Sequence, residues 1–165
     1  MKRFLKWLGY LLLAVILLPL LAFIAAWGYH YSIVSAGPGS LPGAPVSKGL
    51  CAKADPFIAT GGYPWMSGLD SVAACVPFGM VRLGPDTESW IKNMRGLNRS
   101  GYYYGDNKII GFSHTRLVGA DSHEGGVFRV FPTTASQVAS VRGKERVVKF
   151  SHAHEAASPG YYGVQ

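Results

Sequence analysis

The sequence predicts a mainly β protein, an antiparallel β-sandwich that is incomplete at its C-terminal end and is preceded by one N-terminal transmembrane helix. Three observations carry that prediction. Leu8 to Tyr29 is almost wholly apolar, and no Lys, Arg, Asp or Glu occurs between Lys6 and Lys48. After it, Gly or Pro recurs every few residues, leaving few gaps long enough for a helix. Short runs of β-branched and aromatic residues fill the spaces, which is the pattern of many short strands.

At about 1.5 Å per residue, residues 8–29 make a helix about 33 Å long, enough for a hydrocarbon core of about 30 Å. Trp7 and Tyr10 at one end, with Trp27, Tyr29 and Tyr31 at the other, suit the aromatic belts of the two interfaces. Pro19 is tolerable in such a helix. Lys2, Arg3 and Lys6 all precede the apolar run, so the positive-inside rule puts Met1 in the cytoplasm and the rest across the membrane, periplasmic or extracellular. Val34-Ser35-Ala36 offers a cleavage-like spacing, but the run is longer than the roughly 7 to 15 residues of a signal-peptide core. Residues 1–35 are therefore read as a basic stub and an uncleaved signal anchor, with the lipid bilayer as partner through residues 8–29.

Residues 36–53 are read as a linker, since the stretch AGPGSLPGAPV has no charge and no periodicity. The domain proper is 54–165. Its expected strands are Pro56 to Thr60, Val76 to Leu83, Tyr102 to Tyr104, Lys108 to Ser113, Val127 to Phe131, Arg146 to Ser151 and Tyr161 to Val164. Gly105-Asp106-Asn107 and Arg142-Gly143-Lys144 are expected turns between such runs. Asp86 to Arg95 is an expected short helix, with Asp86 or Thr87 as its cap. The last six residues read as a strand just beginning, an open edge expected of a domain cut short.

Composition narrows the function. The net charge is +7, and without the three basic residues ahead of the helix 13 positive face 9 negative residues. That excess is scattered, which argues against a nucleic-acid partner. Cys51 and Cys75 are the two cysteines. Paired outside the cytoplasm they would close a loop of about 24 residues worth roughly 3 kcal/mol; unpaired, Cys75 is a small hydrophobe in Ala-Ala-Cys-Val. No phosphate-binding loop, Cys-based metal knuckle or nucleophile elbow is present.

The chemistry-bearing residues are few. His152 and His154, two apart, would share a face on a strand as metal ligands can, but no spacing supplies a third ligand. Gly61-Gly62-Tyr63-Pro64-Trp65 puts flexible residues beside aromatics, where rings either stack on sugar C–H faces or close the core. Glycoside hydrolysis needs two opposed carboxylates. None of Asp55, Asp70, Asp86, Glu88, Asp106, Asp121, Glu124, Glu145 and Glu155 forms a recognisable pair, and Asp86, after Gly84-Pro85, is expected to cap a turn. Composition and spacing stop at an exported β domain, which leaves open a stand-alone carbohydrate-binding or interaction β-sandwich without catalysis.

Several blocks, in order, resemble the N-terminal domain of glycoside hydrolase family 92, the exo-acting α-mannosidases. They are Asp55-Pro56-Phe57-Ile58-Ala59-Thr60-Gly61-Gly62, Val76-Pro77-Phe78-Gly79-Met80-Val81, Gly84-Pro85-Asp86-Thr87, Ser100-Gly101-Tyr102, Ile110-Gly111-Phe112-Ser113-His114-Thr115, and Phe150-Ser151-His152 with Ala157-Ser158-Pro159-Gly160-Tyr161-Tyr162. The resemblance implies a β-sandwich packed on a helical (α/α)6 domain that carries the acid and base and is absent here. It also implies a calcium ion in the full-length enzyme, inversion at the anomeric carbon, and a mannose-containing glycan as substrate. No calcium site is recognisable within this chain. By the same resemblance the loop from Phe57 to Gly62 contacts the terminal sugar, and Phe57, Gly61, Gly62, Trp65, His114 and Arg116 are the candidate substrate-binding residues. Arg116 departs from the pattern, standing where a second histidine is usual; it is read either as a sugar or phosphate contact or as an ion-pair partner of Asp121 or Glu124.

Overall fold

A computed structural model describes residues 2–61, 68–75, 79–88, 99–119, 125–134, 136 and 146–165. The chain divides into two units, Met1–Ser35 and Ala36–Gln165. In the first, α1 (Lys2–Val34) is a continuous helix of 33 residues with Pro19 inside it and no buried residue. It is long and apolar enough to cross a membrane. Trp7 stands edge-on to Tyr10 and Phe23 stacks on Trp27, with centroids 6.5 and 6.0 Å apart.

The second unit is mainly β, and among the described residues every strand pairing is antiparallel. Strand β2 (Lys108–His114) is central: β1 (Leu83–Thr87) lies on one side, and β3 (Arg129–Val130) and β4 (Val148–Lys149) share the other. Strands β5 (Glu155–Ser158) and β6 (Tyr161–Val164) form a separate hairpin. Pro159-Gly160, with φ +79° at Gly160, provides the residue types a type II turn requires. The sheets do not close on one another, so the sandwich is incomplete. Met80, Val127, Phe128 and Val130 stand in solvent at 94, 82, 72 and 60 % exposure. The core gathers Val72, Tyr102 and Tyr104, with Phe57, Ala157 and Tyr162 packed against them.

Strand β2 buries every second residue, Ile109, Gly111 and Ser113, as a two-residue period demands. Several expectations need correction. Pro56 to Thr60 is no strand: Asp55 Oδ1 accepts from Phe57 N at 2.9 Å, Thr60 N reaches Phe57 O at 3.2 Å, and Ala59 takes φ +63°. A carboxylate that bonds the backbone two residues on winds the chain into turns instead. Asp86 and Thr87 cap no helix; they are the buried end of β1, where the register with β2 shifts by a bulge. Tyr102 to Tyr104 is also no strand, and all three residues are buried instead of alternating in and out. The sequence reading missed β5 altogether. Residues 89–98 and 142–144, where the rest of the helix and one turn were expected, lie outside the described residues, as do 76–78. Cys51 and Cys75 are not joined in a disulfide.

The linker is partly docked. Gly39 N donates to His152 O at 2.7 Å, and a side chain at Gly39 would collide with the Ala153 backbone.

Candidate functional site

Three groupings among the described residues of the β unit bear on a site. The first surrounds Asp86, which is 3 % exposed on the bulged end of β1. Arg116 straddles its carboxylate, Nε to Oδ1 at 2.8 Å and Nη2 to Oδ2 at 3.0 Å. Ser113 Oγ donates to Oδ2 at 2.6 Å, and Arg129 Nη1 lies 3.9 Å away. In an unbroken strand Ser113 and Arg116, three apart, would face opposite ways. Thr115 between them takes φ +50°, a genuine outlier for a β-branched residue, and that turn brings both side chains onto Asp86. Thr115 is held there by Thr115 N to Arg82 O at 2.7 Å. Space for the guanidinium comes from glycines: a Cβ at Gly101, whose φ is +90°, would lie 2.5 Å from Asp86 Oδ1, and one at Gly126 would lie 2.8 Å from Arg116 Cζ.

Beside this pair is a recess of about 200 Å³, open to solvent, lined by Ser71, Arg82, Asp86, Ser100, Ser113 and Arg116 among others. The part of it that a water-sized sphere can occupy is about 10 Å³, room for about one water. A bound sugar ring therefore needs more wall than these residues provide.

The second grouping centres on Glu155, which is fully buried. Tyr102 and Tyr162 both donate to its Oε1, at 2.8 and 2.7 Å, and His152 Nδ1 meets Oε2 at 2.5 Å. His152 Nε2 faces Asp106 O at 3.0 Å. A carbonyl only accepts, so Nε2 is the donor of that bond. Burial first, then the charge of Glu155, pushes the phenols of Tyr102 and Tyr162 well above their ordinary range. They remain donors at neutral pH. The expected pair of histidines on one strand face is corrected: His152–His154 is a short 3-10 turn, and His152 is tied inward.

The third grouping is the double-glycine loop. Tyr104 N donates to Thr60 O at 2.9 Å, and a Cβ at Gly61 would fall 2.8 Å from Tyr104 Cβ. The Phe57 ring stands edge-on to Tyr104 with centroids 5.5 Å apart. Phe57 and Gly61 thus meet on Tyr104. His114 and Arg116 meet instead at the end of β2, where the His114 ring lies 5.5 Å from Phe128 and its Nδ1 is buried with no partner among the described residues. Gly62 and Trp65 lie outside the described residues, as do Asp121 and Glu124. Arg116 pairs with Asp86, a partner the sequence reading did not consider.

No group of three or more His, Cys, Asp or Glu that could hold a metal ion occurs among the described residues. Calcium takes six to eight oxygens. The oxygens of Asp86 and Glu155 are already engaged as described, so these two carboxylates do not form a calcium cage.

The sequence profile of the glycosyl hydrolase family 92 N-terminal domain matches residues 54–165. The chain belongs to family 92. Solved structures of family members agree with that assignment. The family 92 α-mannosidase BT3965 of Bacteroides thetaiotaomicron, in complex with mannoimidazole, is 30% identical over 71% of this chain, with a TM-score of 0.53. Its structure without that compound aligns at 27% identity over 72%, TM-score 0.51. The family 92 glycosyl hydrolase ccman5 is 31% identical over 70%, TM-score 0.52. The chain spans only 14 to 16% of the length of these relatives. No curated protein matches it. For a family 92 module, the Ser-Gly-Tyr and Gly-Phe-Ser-His-Thr blocks now have physical content: one supplies the Gly101 gap and Tyr102, the other the Ser113 and Thr115 that build the Asp86 site.

Proposed function

We propose that the chain is the N-terminal, substrate-loop-contributing module of a membrane-anchored, exported α-mannosidase acting on terminal mannose of glycans. The observation that carries it is the family 92 match across residues 54–165 together with the α-mannosidase among the matched structures. The helix α1 supports anchoring, with the three basic residues at its start on the cytoplasmic side. The catalytic carboxylates belong to a helical domain outside these 165 residues, which accords with the carboxylates of the β unit: Asp86 and Glu155 each serve an internal network. Calcium is expected of the full-length enzyme, at residues other than those described.

The sugar-facing residues on this reading are Phe57, Gly61, Gly62, Trp65, His114 and Arg116. His114 brings a ring nitrogen that still lacks a partner among the described residues. Arg116 has committed Nε and Nη2 to Asp86, leaving Nη1 for a substrate oxygen. The test is release of mannose from an α-linked mannobiose. The full-length protein releases it and loses that activity in a calcium chelator; residues 1–165 alone do not. Turnover by residues 1–165 alone would sink the placement of the catalytic groups.

A further inference from the structure

Gly39 and Gly163 are glycines whose backbones do not call for one, since neither takes a positive φ. What both lack is room for a side chain. A Cβ at Gly39 would run into the Ala153 carbonyl group, and one at Gly163 would lie 3.0 Å from Leu41 Cδ1. Glycine serves such places because it lets another part of the chain come close. Both positions therefore point to one contact, in which residues 39–41 lie against the His152–His154 turn and strand β6.

The segment is shaped to stay there. Gly39 N donates to His152 O at 2.7 Å, and that acceptor is itself held, because the His152 ring bonds Glu155 and Asp106. Leu41-Pro42-Gly43-Ala44 then closes on itself, Ala44 N reaching Leu41 O at 3.1 Å with φ +81° at Gly43. Proline second and a left-handed glycine third are what a type II turn requires. A stretch that reads in sequence as free linker is thus a built element of the β unit. Its hold is nevertheless local: Gly39, Pro42 and Gly43 are exposed and Leu41 is only partly buried. Segments with so few buried contacts open without the rest of the fold.

We propose that residues 39–44 are a releasable strap, latched at Gly39, whose opening lengthens the free chain that follows α1 from residues 35–38 to residues 35–44. Fully extended, the first span reaches at most about 14 Å and the second about 35 Å. For an anchored enzyme that length sets how far out a glycan can be met, a consequence that rests on the anchored reading; the strap itself does not. The test is hydrogen exchange at residue resolution, by mass spectrometry, on the full-length protein in detergent micelles. The amides of residues 39 and 44 should exchange about tenfold to a hundredfold more slowly than in an open chain, as one hydrogen bond and a partly buried leucine together allow. The amides of β2 should be slower still. Gly39→Ala should bring the strap amides to the open-chain rate while β2 keeps its protection. Three results overturn the proposal: strap amides already at the open-chain rate in the unaltered protein, strap amides as slow as those of β2, or no acceleration in Gly39→Ala. Should Gly39→Ala expose β2 as well, Leu41→Ser decides. Strap amides freed with β2 still protected support the strap, and both freed together overturn it.

Discussion

Asp86→Asn is the sharpest probe of the β unit. The substitution keeps the shape of the side chain but removes the charge that two guanidinium nitrogens and Ser113 Oγ address at 2.6 to 3.0 Å. An amide presents one accepting oxygen and two N–H donors, so Arg116 Nε or Nη2 then faces a donor, with its side chain only 18 % exposed. Breaking one half of a buried ion pair costs roughly 3 to 5 kcal/mol. The lower end applies, because Arg116 retains some solvent. About 3 kcal/mol should lower Tm by roughly 10 °C for a unit of this size. The assay is thermal unfolding of the whole chain in detergent micelles, followed by near-ultraviolet circular dichroism, with Arg116→Met and the double variant completing a cycle. Residues in direct contact should couple by about 0.5 to 3 kcal/mol, the double variant being less destabilised than the sum of the singles. A loss below 1 kcal/mol for Asp86→Asn, or strict additivity in the cycle, would refute the pair as a structural anchor.

Two further outcomes follow from the Glu155 network. Glu155→Gln replaces an oxygen pair serving Tyr102, Tyr162 and His152 with a group that must donate at one end. It should destabilise the unit by about 2 to 3 kcal/mol in urea unfolding, and an unchanged midpoint would show that the contacts carry no energy. Alkaline stability is set by the tyrosines. Tyr104 is pushed up from the usual 10 to about 12, chiefly by burial and then by the charges of Glu155 and Asp55, and Tyr102 and Tyr162 are raised in the same sense. The folded state thus holds protons that the unfolded state releases above pH 10, so this stabilisation is intact below pH 10 and declines between pH 10 and 12. Urea midpoints taken from pH 8 to 12 should stay level and then drop, less steeply in Tyr102→Phe; a level profile to pH 12 contradicts the raised phenols.

What the sequence made legible divides by the range of the physics involved. The apolar run, strand β2 and strand β6 follow from local pattern, and each appears where periodicity and composition put it. The misreadings come from competition at longer range. Pro56 to Thr60 has strand-like side chains, but Asp55 bonds the backbone two residues on and wins. Asp86 looks like a cap because Pro85 precedes it; what holds it in β1 is Arg116, thirty residues away and turned inward by an unfavourable φ at Thr115. No local signal marks that. Strand β5 is Glu-Ala-Ala-Ser, without a β-branched or aromatic residue. It is a strand because Glu155 is drawn to Tyr102 and because Pro159-Gly160 folds β6 back on it. Family resemblance found the blocks that build these contacts, but not which atoms meet.

The contact between Tyr102 and Glu155 closes 53 residues of chain. Polypeptides are made at about 5 to 20 residues per second, so several seconds separate the synthesis of the aromatic loop from that of the carboxylate that completes it. Throughout that interval the oily rings have no acceptor to orient them, on a chain whose leading segment is itself greasy. Biogenesis, rather than the finished architecture, is thus where this molecule is most exposed to going astray: a delay in elongation between codons 104 and 155 should be felt as lost yield of folded product.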